Sequence, residues 1–288
     1  MHLREVRGIL SPKGGMNISR GCVHGCIYCD SRSKCYRIEH DFEDVQIKSN
    51  APFLLEDALK RKRKKCMIGT GAMSDPYIPI PENIANIRAC LEIIDRYGFG
   101  LAIQTKSDLI LRDMDLLISI NNKAKCVVQT TLTTFDEKLC GILEPNVCGT
   151  QRRFEVLKIM QDNDIPTVVW LCPFLPHIND TEENLRGLLD YCVEAGVHGI
   201  ICFGVGLTLR EGNREYFYSK LDEHFPGLKK VYQEKYGYNY VISSDNNDAL
   251  MKLVYETCRK RGIVCGSDPV FEYMRDFEEK KGGQIELF

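Results

Sequence analysis

Short apolar runs alternate along this chain with longer stretches whose apolar positions recur every three to four residues. The runs are Met16–Ser19, Cys66–Thr70, Leu101–Thr105, Cys126–Thr131, Thr167–Leu171, Gly199–Phe203 and Gly262–Cys265. They show little strict polar–apolar alternation, which suits parallel strands buried on both faces. Between them the period changes. Pro81–Tyr97 carries Ile84, Ile87, Cys90, Leu91 and Ile94 at helical spacing and stops at Gly98, a helix-ending signal. Thr181–Ala195 opens with a hydroxyl cap and two acids, Glu182 and Glu183, at the positive end of a helix, and stops at Gly196. Asn246–Gly262 reads as a third long helix. This alternation predicts an α/β fold, either a (β/α) barrel or an open doubly wound sheet. In both, functional residues gather at the C-terminal ends of the strands.

A chain of 288 residues is long enough for one such barrel or for two ordinary domains. Its net charge of -2 and pI near 6.3 create no global basic field, so any nucleic-acid contact needs a local patch. Met1–Leu10 lacks the apolar core of a signal peptide, and no run of about 18 apolar residues occurs. The expectation is a cytoplasmic protein with no membrane partner. Cysteine is the anomaly, at 14 residues. Cys90, Cys126, Cys192, Cys202 and Cys258 stand singly among apolar neighbours and read as small core residues.

One cluster differs. Asn17-Ile18-Ser19-Arg20-Gly21-Cys22-Val23-His24-Gly25-Cys26-Ile27-Tyr28-Cys29-Asp30 contains C-x3-C-x2-C on a loop after the first strand, with Gly21 and Gly25 free to turn tightly. Three thiols at this spacing point to a metal centre. A structural zinc site would need a fourth ligand, for which Cys35 or His24 is available. An electron-carrying iron–sulfur cluster would also normally take four cysteines. A four-iron cluster held by Cys22, Cys26 and Cys29 would leave one iron open for chemistry.

With Tyr28 before the last cysteine, the motif resembles the radical S-adenosylmethionine (SAM) superfamily. The wider chain is similar to its spore photoproduct lyase-like branch, also described as DNA repair photolyase-like. Asn17–Cys29, Gly69–Tyr77, Gln104–Asp113, Thr131–Thr134 and Pro173–Asp180 carry the resemblance in the branch's order, and Phe203–Phe288 carries it more weakly. The resemblance implies a partial (β/α)6 TIM-like barrel over residues 1–205 and a C-terminal helical extension over 206–288, with a flexible tail from about 279. It implies a [4Fe–4S] cluster on Cys22, Cys26 and Cys29, SAM on the fourth iron, and reductive cleavage to a 5′-deoxyadenosyl radical. Lys106 and Thr131 would face the SAM carboxylate, Gly71, Ser74 and Asp75 the methionyl amino group, and Tyr28, Pro173 and Asn179 the adenine side. An electron donor such as flavodoxin or ferredoxin is implied, and a lyase-like reaction on DNA or another nucleic acid. Radical modification of a small molecule or peptide, and a non-enzymatic zinc protein, are the alternatives.

Two departures stand out. The lyase pattern places a hydrogen-donating cysteine just before the Ser-Asp pair, whereas this chain reads Gly71-Ala72-Met73-Ser74-Asp75. Tyr77 and Cys35 remain as candidates for a radical relay or a redox-active thiol. Asp30 also stands where the branch often has Tyr-Ala. At the periphery, the basic run Lys60–Lys65 reads as a phosphate-binding patch or a solvated helix end. Gln284-Ile285-Glu286-Leu287-Phe288, beyond a Gly282-Gly283 hinge, resembles a bacterial sliding-clamp-binding peptide.

Overall fold

The structure, a computed structural model, describes residues 1–280. The sliding-clamp-like peptide, Gln284–Phe288, lies outside the described residues. The N-terminal part forms β1 (His2–Arg4), β2 (Gly15–Met16), β3 (Ser19–Arg20), β4 (Gln46–Lys48) and α1 (Ala51–Arg61). Regular alternation follows: β5 (Met67–Thr70), α2 (Pro81–Tyr97), β6 (Gly100–Gln104), α3 (Met114–Lys123), β7 (Cys126–Thr131), α4 (Glu137–Leu143), α5 (Thr150–Asp162), β8 (Thr167–Trp170), α6 (Glu182–Glu194) and β9 (Gly199–Ile201). The chain ends with β10 (Gly206–Thr208), α7 (Asn213–His224), α8 (Leu228–Tyr236), β11 (Val241–Ser243), α9 (Asn247–Arg261), β12 (Val264–Cys265) and α10 (Ser267–Arg275).

Seven strands form one parallel sheet in the order β12-β9-β8-β7-β6-β5-β2. Its central strands are buried on both faces, as their unbroken apolar runs required; all of β7 is buried. Ile68, Leu101, Ile103, Cys126 and Val128 point outward into a core shared with α1, α2 and α3. The alternate residues Met67, Ala102, Val127, Val168 and Ile201 face the barrel interior. Two small sheets, β1-β4-β3 and the antiparallel pair β10-β11, flank this partial barrel.

The C-terminal segment is more than an extension packed on a six-stranded barrel. Its β12 is the seventh strand, paired with β9, so residue 205 is not a structural boundary. Val270 and Met274 of α10 bury themselves against the inward-facing residues. A barrel interior must be filled by side chains, and α10 fills the end near the strand N-termini. The other end is left open for a site.

Candidate active site

The cysteine loop leaves β3 and is pinned from both sides. Cys22 N donates to Phe42 O, Ile27 N donates to Leu143 O, and Asn146 N donates to His24 O. Gly21 and Gly25 take positive φ of 85° and 73°, as the tight turns demanded. All three thiols are free; Cys26 is buried, and Cys22 and Cys29 are half-buried.

Burial pushes the Cys26 thiol up to about 12, with Lys106 pulling the other way. Burial pushes Cys22 further above the thiol range, and the Asp75 carboxylate adds to it. Thiolates at Cys22 and Cys26 would be costly here without a cationic body, whereas metal coordination deprotonates a thiol outright. The donor set therefore fits a metal centre. Neither expected fourth ligand for zinc is in place. The buried His24 presents Nδ1 to Asp75 Oδ2 at 3.5 Å, and Cys35 is exposed with Arg210 Nη1 donating to its Sγ. Among the described residues no three His, Cys, Asp or Glu side chains converge tightly enough for a single ion.

Beside the loop, at the strand C-termini, lies a polar network that the sequence did not announce. Glu144, fully buried, follows the α4 end that anchors Ile27. It accepts a hydrogen bond from Tyr28 OH and pairs with Arg153 at 2.5 Å and with Lys106 Nζ at 3.7 Å. Desolvation would raise its pKa, but Arg153 and Lys106 outweigh that and hold the carboxyl below its usual range. Burial acts to lower the Lys106 pKa, yet Cys26 and Glu144 hold it above the ordinary lysine value. Arg153 also donates to Thr131 O at 3.1 Å, fixing the end of β7.

Ser74 and Asp75 tie the loop after β5 to its neighbours. Ser74 Oγ donates to Gly21 O at 2.5 Å and lies 2.9 Å from Ser19 Oγ. Asp75 Oδ1 accepts from Thr105 Oγ1 at 2.7 Å and Tyr77 N at 2.8 Å, and Oδ2 accepts from Lys106 N at 2.8 Å. Both side chains thus position the cysteine loop and Lys106. Gly71, at φ 100°, is required by close approach: a Cβ there would sit 1.9 Å from Gln104 O. Ala72 and Met73 form the wall instead.

Tyr28, Cys26, Cys29, Lys106, Thr131 and Pro173 line one cavity of about 1120 Å³. Its remaining wall is mostly apolar and aromatic, with Trp170, Phe203, Met251 and Tyr255. Asp30, Lys106 and Asp268 are the charged residues among those lining it. Three thiols expected in the core or not singled out, Cys172, Cys202 and Cys265, also reach this wall from the ends of three adjacent strands.

Other expected site residues lie elsewhere. Tyr77 is fully buried and donates to Asp113 Oδ2 at 3.0 Å, so it belongs to the core and not to the cavity rim. Asn179 does not line the cavity. Its Oδ1 accepts from Leu175 N at 2.6 Å, and its Nδ2 donates to Thr133 O and Thr134 Oγ1. It holds the loop that presents Pro173, while Thr181 caps α6 by accepting from Asn184 N. Cys35 is not among the cavity residues, although its neighbour Tyr36 is. The basic run sits ahead of β5, at the end of the sheet away from the cavity. There Lys60 pairs with Glu56, Arg61 with Asp57 and Lys65 with Glu279.

Comparison with known proteins places this geometry. The family model of the radical SAM superfamily matches residues 16–189. An uncharacterised protein of Mycobacterium tuberculosis is 28% identical over 229 residues, covering 77% of this chain and 66% of that one, just under two thirds. An uncharacterised protein of Methanocaldococcus jannaschii is 33% identical over 164 residues, covering 56% of this chain and 60% of that one. Among solved structures, a spore photoproduct lyase variant superposes with a TM-score of 0.63 at 13% identity, over 91% of this chain and 79% of that chain. The radical SAM methyltransferase TsrM from Kitasatospora setae, solved with cobalamin and a [4Fe–4S] cluster, gives 0.51 at 15% identity, over 68% of this chain and 34% of that chain. At such identities these structures share the fold. Proteins of the matching family bind a [4Fe–4S] cluster and SAM. No helix among the described residues is long and apolar enough to cross a membrane. A family model spanning more than half the sequence encloses the cysteine loop, Lys106 and Thr131, and the chain belongs to the radical SAM superfamily.

Proposed function

We propose that this protein generates a 5′-deoxyadenosyl radical and uses it to abstract hydrogen from a neutral, largely apolar or aromatic group held in the 1120 Å³ cavity. The observation that carries the reading is the convergence of Cys26, Cys29 and Lys106 on one wall of that cavity, at the strand C-termini. With cluster and SAM bound, the chemistry supplied would be one-electron reductive cleavage of the sulfonium, from a flavodoxin- or ferredoxin-type donor, to methionine and a 5′-deoxyadenosyl radical. The chain's residues do the rest. Cys22, Cys26 and Cys29 hold three irons. Lys106, kept protonated by Cys26 and Glu144, presents a positive charge to the SAM carboxylate. Tyr28, anchored on Glu144, and Pro173 close the wall and limit water around a reactive intermediate.

The reacting group is read from the wall. Lys106 is the cation among its lining residues, so a phosphate has little to bind there. A nucleobase or another uncharged ring fits Trp170, Phe203 and Tyr255. A lyase-like reaction using a cysteine beside Ser74 has no residue to run on, because Ala72 and Met73 occupy that wall.

The test is anaerobic reconstitution, iron and sulfide counting, and assay of 5′-deoxyadenosine after adding dithionite and SAM. About four irons are expected, as for a [4Fe–4S] cluster. Cys22→Ala, Cys26→Ala and Cys29→Ala each abolish cleavage, whereas Cys35→Ser retains it. Zinc in place of iron, or loss of metal in Cys35→Ser equal to that in Cys22→Ala, overturns the reading.

A further inference from the structure

A second cleft, of about 630 Å³, opens beside the reaction cavity and shares two wall residues with it, Tyr36 and Met73. Its charged lining is four cations, Arg4, Arg7, Arg20 and Lys48, against one acid, Glu5. In a chain of net charge -2, with more than two dozen ion pairs, none of these four cations meets a carboxylate among the described residues. Arg20 spends Nη2 on the carbonyls of Tyr36 and Arg37 and keeps other donors free. Lys48 Nζ donates to Asn17 O at 2.5 Å and has two more protons to give. Burial and the neighbouring Arg20 charge hold Lys48 below its usual pKa, the sign of cations crowded without a counter-charge. Asn17 lines the same cleft, and its Oδ1 is buried with no hydrogen-bond partner among the described residues.

We propose that this cleft is an anion site that binds phosphate groups of the substrate while the uncharged reacting group reaches past Tyr36 and Met73 into the cavity. The proposal rests on the reading of the 1120 Å³ cavity as the reaction site. The two compartments divide the chemistry of a nucleotide. Guanidinium and ammonium groups suit phosphate oxygens, and the aromatic wall of the cavity suits a base. Asn17 Oδ1, an acceptor among cations, suits a sugar hydroxyl. The cleft is concave and adjoins the cavity at Tyr36 and Met73, whereas docking of an electron-carrier protein uses a broader face, usually of about 1000 Å² or more. The source of the phosphate is a free nucleotide or a single-stranded oligonucleotide, and the experiment separates them.

The full chain, loaded with its cluster and SAM, is titrated into a fluorescein-labelled single-stranded deoxyoligothymidylate while anisotropy is read at several salt concentrations. Thymidine 5′-monophosphate is the competitor. Four cations on a single strand predict a slope of log K against log salt of about -2.8. Arg4→Glu/Arg7→Glu, at two exposed positions, lowers affinity about tenfold or more and brings the slope to about -1.4. Its iron content and cluster absorbance report whether it is still folded. Lys62→Glu/Lys64→Glu, the same charge change at the opposite end of the sheet, leaves binding unaltered. Competition by the mononucleotide at equal affinity assigns the cleft to a free phosphate; failure to compete assigns it to a strand. Equal weakening by both charge-reversal pairs, or no binding of either probe, overturns the proposal. So does loss of flavodoxin binding in Arg4→Glu/Arg7→Glu without any nucleotide binding, which gives the cleft to an acidic electron donor. Phosphate binding in a protein that forms no 5′-deoxyadenosine leaves the cleft standing and removes the reaction reading instead.

Discussion

Replacing Glu144 by Gln tests the buried network most directly. Glu144 is fully buried, and its partner Arg153 is 2% exposed at the side chain. The amide keeps the shape and a hydrogen bond for Tyr28 but removes the counter-charge of Arg153 and Lys106. Breaking a buried ion pair on one side costs about 3–5 kcal/mol, because the remaining charge is left in low dielectric. Arg153 Nε and Nη2 are already buried without hydrogen-bond partners among the described residues, so it has little with which to recover. Lys106 adds less, since its side chain is 20% exposed toward the cavity and water screens the 3.7 Å separation. The expected loss in urea unfolding is therefore about 3–5 kcal/mol for Glu144→Gln. Glu144→Leu/Arg153→Met, which removes both charges, loses much less. The sign with pH follows from the depressed carboxyl. Its stabilisation is full above the unfolded Glu value, near 4.5, and is lost as pH falls through the lower folded value. The gap between Glu144→Gln and the unaltered chain thus begins to narrow as pH falls below about 4.5 and closes once the folded carboxyl is protonated. A loss under about 1 kcal/mol at pH 7, or a double variant as unstable as the single one, refutes the reasoning.

Two further outcomes separate cofactor contact from support. Lys106→Met removes the charge facing the SAM carboxylate and weakens SAM binding to the cluster-loaded protein about tenfold or more, read by calorimetry; unaltered affinity would show that Lys106 serves only Glu144. Asn179→Ala leaves Leu175 N without a partner, takes one of two donors from Thr133 O, where Asn184 Nδ2 remains, and lowers stability by about 1–3 kcal/mol in denaturant melts. Its SAM affinity stays the same, and a selective fall in affinity would return Asn179 to the adenine side.

Much of the barrel was legible because its signals are local. The apolar run of Cys126–Thr131 coincides with β7, and Pro81–Tyr97 with α2, because burial on both faces and helical periodicity leave their mark residue by residue. The cysteine loop was legible for the same reason: its three thiols lie within eight positions of one another. Residues expected from their place in a motif, at the cofactor or, for Tyr77, in a radical relay, lie on different sides of the backbone. Lys106, Thr131, Tyr28 and Pro173 line the cavity, whereas Tyr77 and Asn179 turn inward to Asp113 and to Thr133. The backbone position of a loop residue does not say on which side its side chain falls.

The sequence by itself determined the parallel α/β class and the C-x3-C-x2-C loop, since each depends on neighbours a few positions apart. Only the tertiary structure decided what distant segments do together. It brought Glu144 and Arg153 under Tyr28, made β12 the seventh strand, and turned α10 into the filling of the barrel. It also set Arg4 and Arg7 beside Arg20 and Lys48 while leaving the conspicuous run Lys60–Lys65 at the far end of the sheet. The reason is that charge and burial act through space. A cation's effect depends on which carboxylates reach it, and that is fixed when the strands pair, not by the order of residues along the chain.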